Sequence, residues 1–195
     1  AVRHGDEPAP LPDIPISGWA PYWVLPDATA AVAAHGAALH AVSPFGYSAT
    51  GATAVAFDGD ADQLLTLVEG IRAQGALVIP AITDGMPAGA MAALLADPAS
   101  RAQHVQTIVA LVQQQGFDGI DIDYEKFAFA DDRTTWDTTR PNWVAFMAEL
   151  AGALHAEGKL LTVAVPPIYD TDRTADSGSW VYDYAAMSEH VDQIR

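Results

Sequence analysis

Four acids fall within eight residues of one another: Asp118, Asp121, Asp123 and Glu125, in the run Gly-Phe-Asp-Gly-Ile-Asp-Ile-Asp-Tyr-Glu over 116–125. Carboxyl groups at such spacing can donate, accept or share protons, and two of them suffice for general acid–base chemistry. Ile120, Ile122 and Tyr124 alternate with Asp121, Asp123 and Glu125, so a β-strand would carry the apolar residues on one face and the acids on the other. Helical patterns flank the run on both sides, and the neighbouring strand candidates are continuous apolar stretches of the kind found in parallel sheets covered on both faces. Ionised carboxylates turned into such an interior cost several kcal/mol each (order of magnitude) unless chemistry, a metal or a hydrogen-bond network compensates. Acidic clusters also bind Mg²⁺ or Ca²⁺. Three carboxylates strung along a strand converge poorly on one ion and no His lies nearby, so the expectation is neither metal nor cofactor. Asp118 falls off the parity of the other three, which suits a structural hydrogen-bonding role.

The row resembles the Asp-x-x-Asp-x-Asp-x-Glu signature of glycoside hydrolase family 18, the chitinase family, with all four acids at the family's spacing. That resemblance implies hydrolysis of β-1,4 bonds beside an N-acetylglucosamine unit in chitin, chitooligosaccharides or peptidoglycan. It also implies a substrate-assisted retaining mechanism, in which the sugar's own acetamide oxygen attacks the anomeric carbon. Glu125, at the C-terminal end of the strand, is then the acid/base and needs a raised pKa, which an anion two residues away would favour. Asp123 orients the acetamide, and Asp121 shares a proton with Asp123, so the row titrates as a coupled set. A non-catalytic, lectin-like barrel is the alternative. Such members generally lack the terminal Glu, and Glu125 is present.

Strand and helix patterns alternate along most of the chain. Strands are expected at 14–23, 40–47, 76–82, 117–124 and 160–165. Helices are expected near 28–38 (capped by Asp27), from Asp62 onward with Leu64, Leu65, Val68 and Ile71 inward, and at 87–96, 98–115, 142–158 and 181–190. A hairpin excursion fits 51–60, and residues 126–140 read as a polar loop. Alternating βα units with short links point to an α/β fold with a parallel sheet. The best match is a (β/α)8 TIM-type barrel with only about five βα units present, and a doubly wound open sheet is second. The aromatic first strand, Ser-Pro-Phe-Gly-Tyr on the second and Thr-Val-Ala-Val-Pro on the fifth are similar to the family's corresponding elements. Trp19, Tyr22, Trp23, Phe45, Tyr47 and Trp136 are the aromatics that could stack on sugar rings, Trp19 and Phe45 foremost; core packing is the other reading.

The 195 residues carry 9 Lys plus Arg against 25 Asp plus Glu, a net charge of −16, and no Cys. So acidic a surface repels phosphate backbones, which argues against nucleic acid as a partner. No apolar run approaches membrane-spanning length, and a disulfide framework is excluded. Residues 1–13, with three prolines, read as a flexible leader before one domain over 14–195. The resemblance implies a secreted or cell-envelope location. A closed barrel of this type takes about 250 residues, so the expectation is the N-terminal portion of a longer barrel, or one half completed by another copy or a separate C-terminal piece.

Overall fold

The computed structural model describes residues 15–167 and 177–195. The expected leader, 1–13, lies outside the described residues.

Eight strands form one sheet: β1 (Ser17–Pro21), β2 (Ala41–Gly51), β3 (Ala54–Phe57), β4 (Leu77–Val78), β5 (Ala81–Asp84), β6 (Gly119–Asp123), β7 (Leu160–Val163) and β8 (Gln193–Ile194). Along the sheet the order is β1-β2-β5-β6-β7-β8, and every neighbouring pair in that series is parallel. Chain order and spatial order therefore coincide, as βα units require. The sheet curls into half of a TIM-type barrel. Pairing of Thr162 with Gln193 and of Val163 with Ile194 adds a sixth parallel strand position after β7. The hairpin expected at 51–60 forms, with β3 antiparallel to the end of β2.

The principal helices are α1 (Leu25–His35), α2 (Ala61–Ala73), α3 (Ala90–Ala96), α4 (Pro98–Gln115) and α6 (Trp136–Ala156), with short α5 (Lys126–Phe129) and α7 (Tyr184–Met187). Ile71, Ile108, Val112, Phe146, Met147, Leu150 and Leu154 are buried with Ile120, Ile122 and Leu161 of the sheet in one core. The apolar parity of β6 faces this layer, which leaves the acidic parity for the concave side.

Local departures from the sequence reading have identifiable causes. Pro80 cannot donate to a ladder, and the strand expected over 76–82 is split into β4 and β5 around it. Asp60 rather than Asp62 caps α2, its Oδ1 accepting the N–H groups of Asp62 and Gln63 at 3.0 Å each; the stripe shifts accordingly, and Leu65 is exposed while Leu67 is buried. Asp27 sits in the first turn of α1, whose N-cap is Val24. The polar loop at 126–140 is largely helical, because α6 begins at Trp136 and tolerates Pro141 near its start. Asn142 there donates to the Thr138 carbonyl at 2.8 Å. The helix expected over 181–190 is broken at Asp183, whose φ of 33° lies in the left-handed region.

Candidate active site

The register of the sheet places Asp121 beside Ala81 and Thr162, and Asp123 beside Thr83. Asp121 is wholly buried, and three donors meet it. Trp19 Nε1–H donates to Oδ2 at 3.1 Å, Thr162 Oγ1–H to Oδ1 at 2.7 Å, and Arg195 Nη1 approaches Oδ2 at 3.3 Å. The same Arg195 nitrogen donates to Ser43 Oγ at 2.7 Å, and its guanidinium lies 5.5 Å from the centre of the Trp19 ring. Groups from β1, β7 and the residue after β8 thus converge on one carboxylate, and Ser43 of β2 holds the guanidinium. A hydrogen-bonded ion pair of this kind offsets the desolvation that an isolated buried carboxylate would suffer.

One step outward, Asp123 is half-buried and its carboxyl is pushed up to about 7, first by burial and then by the charges of Glu125 and Asp121. No hydrogen bond joins Asp123 to Asp121 or to Glu125 among the described residues, so the coupling of the row is electrostatic. Glu125 is exposed at the mouth, in a helical backbone conformation at the N-cap of α5. Between the two acids, Tyr124 turns into the core, where its hydroxyl and His104 Nε2 lie 2.7 Å apart. Burial pushes His104 down to about 4, so this imidazole stays neutral at ordinary pH. Asp118, at the far end of β6, accepts the Val78 N–H at 2.8 Å and ties β6 to β4.

Trp19, Pro21, Trp23, Phe45 and Asp123 line an open depression of about 280 Å³. Trp19 and Trp23 are 50% and 63% exposed, so both indoles reach solvent beside the acid. Trp23 meets Phe45 edge to face at 6.1 Å and Tyr22 at 5.0 Å. Tyr22 is half-buried and is not part of the depression's lining. Tyr47 departs most from expectation. Two residues of β2, Phe45 to Tyr47, span a single step of β5, Ala81 to Ile82, so Gly46 is the extra residue of a β-bulge. A bulge reverses the parity that follows it. Phe45 therefore faces the depression while Tyr47 is buried on the other side against Phe57 and Phe117. A side chain at Gly46 would come within 2.8 Å of both Phe57 and Tyr22, which explains the glycine. Trp136 is partly buried at the start of α6, packed against the core with Arg133 over its ring at 5.8 Å.

Sequence reasoning overlooked Arg195, Thr162, Ser43 and Tyr182. The first three share the inward parity of their strands, which a register-aware reading could have found. Tyr182, whose hydroxyl proton burial holds well above its ordinary pKa, feels the charges of Glu125 and Asp123. Asp84, at the end of β5, accepts the Met86 N–H at 2.8 Å, and Lys126 donates to the Met86 carbonyl. Among the described residues no group of three or more His, Asp or Glu side chains is arranged to hold a metal ion, and no helix is long and apolar enough to cross a membrane.

Residues 50–195 match the family model of glycosyl hydrolases family 18. The chain belongs to this family. A sporulation-specific glycosylase, YdhD of Bacillus subtilis, is 31% identical over 103 residues, covering 52% of this chain and 21% of that protein. Among solved structures, a class V chitinase from Pseudomonas fluorescens superposes with a TM-score of 0.77 at 23% identity, over 93% of this chain and 53% of that one. The spore cortex-lytic enzyme SleL of Bacillus megaterium superposes at 0.73 with 16% identity, over 91% and 40%. The two solved structures share its curled parallel sheet. The chain spans about half the length of the solved chitinase and about a fifth of the curated relative.

Proposed function

We propose that this chain carries the acidic half of an active site that hydrolyses β-1,4 linkages next to N-acetylglucosamine by substrate-assisted retaining catalysis. The observation that carries the reading is the juxtaposition of Asp123, whose carboxyl burial pushes up to about 7, with the exposed rings of Trp19 and Trp23 and the partly buried ring of Phe45. Aromatic faces bind sugar rings through their apolar C–H surfaces, which positions a glycan over the acid row. A carboxylic acid that still holds its proton can donate to or orient an amide, and on losing it can stabilise positive charge. Asp123 is therefore the acetamide partner, and Glu125, exposed at the strand's end, donates its proton to the leaving oxygen and later activates water. Asp121 anchors the row from beneath, and Asp118 is structural.

The outer strands of the series, β1 and β8, are not paired with each other. A depression of about 220 Å³ between them is lined by Pro15, Gly18, Trp19, Gln193 and Arg195. Unpaired edges favour pairing with further strands, and we place there the remaining barrel strands of the complete enzyme, from the same or another chain. The polymers implied lie outside the cell or in its envelope, which fits a secreted or envelope location.

Turnover of chitooligosaccharides and muropeptides by the full-length protein and by Glu125→Gln tests the reading. The expected result is loss of at least about 100-fold in kcat with sugar binding retained, because only the proton donor is lost. Wild-type turnover in that variant would overturn it; hydrolysis of one polymer class alone identifies the substrate.

A further inference from the structure

A second cavity lies on the opposite side of β2 from the acid row. It is a pocket of about 340 Å³ bounded by β3, α2 and the C-terminal half of α4. Its apolar walls are Val55 and Phe57 of β3, Leu64 and Val68 of α2, Leu111 of α4, and Phe117. Leu64, Val68 and Phe117 are buried, whereas Leu65, which the sequence pattern turned inward, borders the pocket exposed to solvent. Small-molecule sites have this volume and this make-up, apolar walls with a few polar groups set among them.

Three polar side chains complete the lining: Tyr47, Arg72 and Gln115. Tyr47 is only 5% exposed, and no hydrogen bond reaches its hydroxyl among the described residues. Burial pushes that hydroxyl up to about 12, so at ordinary pH it keeps its proton and is a donor without an acceptor. Such a group is costly to bury unless something pairs with it. Phe57 and Phe117, the rings packed on Tyr47, also line the pocket, so the missing partner is to be sought there. Arg72, near the end of α2, is held by Nη2, which donates to the Gln115 carbonyl at 3.0 Å and the Gly116 carbonyl at 2.8 Å. Those bonds serve the C-terminal end of α4. Nε and Nη1 have no partner among the described residues, and a guanidinium fixed in this way is preorganised for a carboxylate. Arg72 is also the single cation of the lining, in a chain of net charge −16.

We propose that this pocket binds a small organic acid with an apolar body of roughly eight carbons, its carboxylate paired with Arg72 and hydrogen-bonded by the Tyr47 hydroxyl. The body lies against Phe57, Leu64, Val68 and Phe117. Charge selects an anion over a cation, and the apolar walls select an acid with a hydrocarbon body over inorganic phosphate. The bulge at Gly46 gives β2 both of its faces: Phe45 lines the depression beside Asp123, and Tyr47 lines the pocket behind it.

Isothermal titration of the full-length protein with octanoate and with 1-octanol is the test. Octanoate should bind about tenfold tighter than octanol or better, and added salt should narrow the gap, because a charge-assisted contact supplies it. Arg72→Gln should abolish the preference for the acid, and Arg72→Lys should retain part of it. Tyr47→Phe keeps the ring packing and should weaken octanoate about threefold or more. Leu65→Glu changes an exposed position, so the fold tolerates it; the anion placed beside the pocket should weaken octanoate about tenfold. That variant decides the matter should Arg72→Gln not fold. A wild type that binds neither compound, or binds both equally, overturns the proposal, as does an octanoate affinity unmoved in both Arg72→Gln and Leu65→Glu. Binding is read without turnover, so failure here leaves the proposed hydrolysis untouched.

Discussion

The hydroxyl of Tyr182 donates to the main-chain carbonyl of Tyr124 at 2.6 Å, across 58 residues and within the core. Tyr124 lies between Asp123 and Glu125, so this bond fixes the backbone on which both acids hang. The two rings belong to one aromatic cluster, with Trp143 contacting both and Phe127 packing on Trp143 and Tyr182. Tyr182→Phe keeps the packing and leaves the carbonyl unsatisfied, which costs about 1–3 kcal/mol. In a domain of this size, a drop of several degrees in Tm is expected. Turnover by the full-length protein should fall further than binding does, because the acids lose alignment; calorimetric unfolding and steady-state kinetics on one preparation check both.

Trp23 offers a cleaner test of the aromatic platform. At 63% exposure it supports little of the core, so its removal should barely move Tm. Trp23→Ala should weaken binding of an N-acetylglucosamine oligomer about 10-fold, the equivalent of about 1.4 kcal/mol, while Trp23→Phe retains part of it. Isothermal titration with a chitooligosaccharide measures the difference. Equal affinity in all three proteins would remove Trp23 from the binding surface.

Asp123 makes stability depend on pH in a direction opposite to that of a salt-bridged acid. Its folded-state carboxyl is raised to about 7 from an ordinary 3.8, so between these limits the native chain binds more protons than the unfolded chain. Stability contributed by the group is present below the unfolded pKa and is lost as pH rises toward the folded one. The slope is a fraction of the ~1.4 kcal/mol per pH unit that a whole proton gives, because solvent reaches part of the carboxyl. Asp123→Asn, uncharged throughout, should flatten the dependence between pH 4 and pH 7 and be more stable than the wild type at the alkaline end. Urea unfolding at a series of pH values reads this out, and parallel curves for the two proteins would contradict the burial of Asp123.

Periodicity and spacing made the strand series legible, and with it the acids of β6, because apolar-against-acid alternation is a local property. Less legible were features that depend on a neighbouring strand. Nothing in Ser-Pro-Phe-Gly-Tyr shows that Gly46 is a bulge, yet the bulge buries Tyr47 and keeps Phe45 at the depression. Arg195 reads as one base after Val-Asp-Gln-Ile, and its contact with Asp121, 74 residues earlier in the chain, appears only when β8 is placed beside β7. Helix ends fell between these cases. Asp60 outcompeted Asp62 as a cap, and the helix expected to begin at Asn142 extended back through Pro141 to Trp136. In each, local propensity permitted more than one boundary and side-chain hydrogen bonding or packing chose.

Gly119, the first residue of β6, is the position where the site depends most directly on backbone proximity. A Cβ there would sit 2.4 Å from the Leu160 carbonyl oxygen and 3.0 Å from the carbonyl carbon, and main-chain atoms cannot rotate away as a side-chain tip can. Leu160 is also its register partner on β7, so any relief must part β6 from β7 next to the Asp121–Thr162 contact. Overpacking of this kind costs about 1–3 kcal/mol, and more where backbone must move. Gly152 supplies the control. It lies exposed within α6 with nothing inside 4 Å of its would-be Cβ, and replacing a helical glycine by alanine there should stabilise by about 0.5–1 kcal/mol. Gly152→Ala should therefore raise Tm, whereas Gly119→Ala should lower it by at least several degrees and reduce soluble yield. The two thermal unfolding curves decide it: a Gly119→Ala protein as stable as the wild type would mean that β6 and β7 are not packed as closely as described.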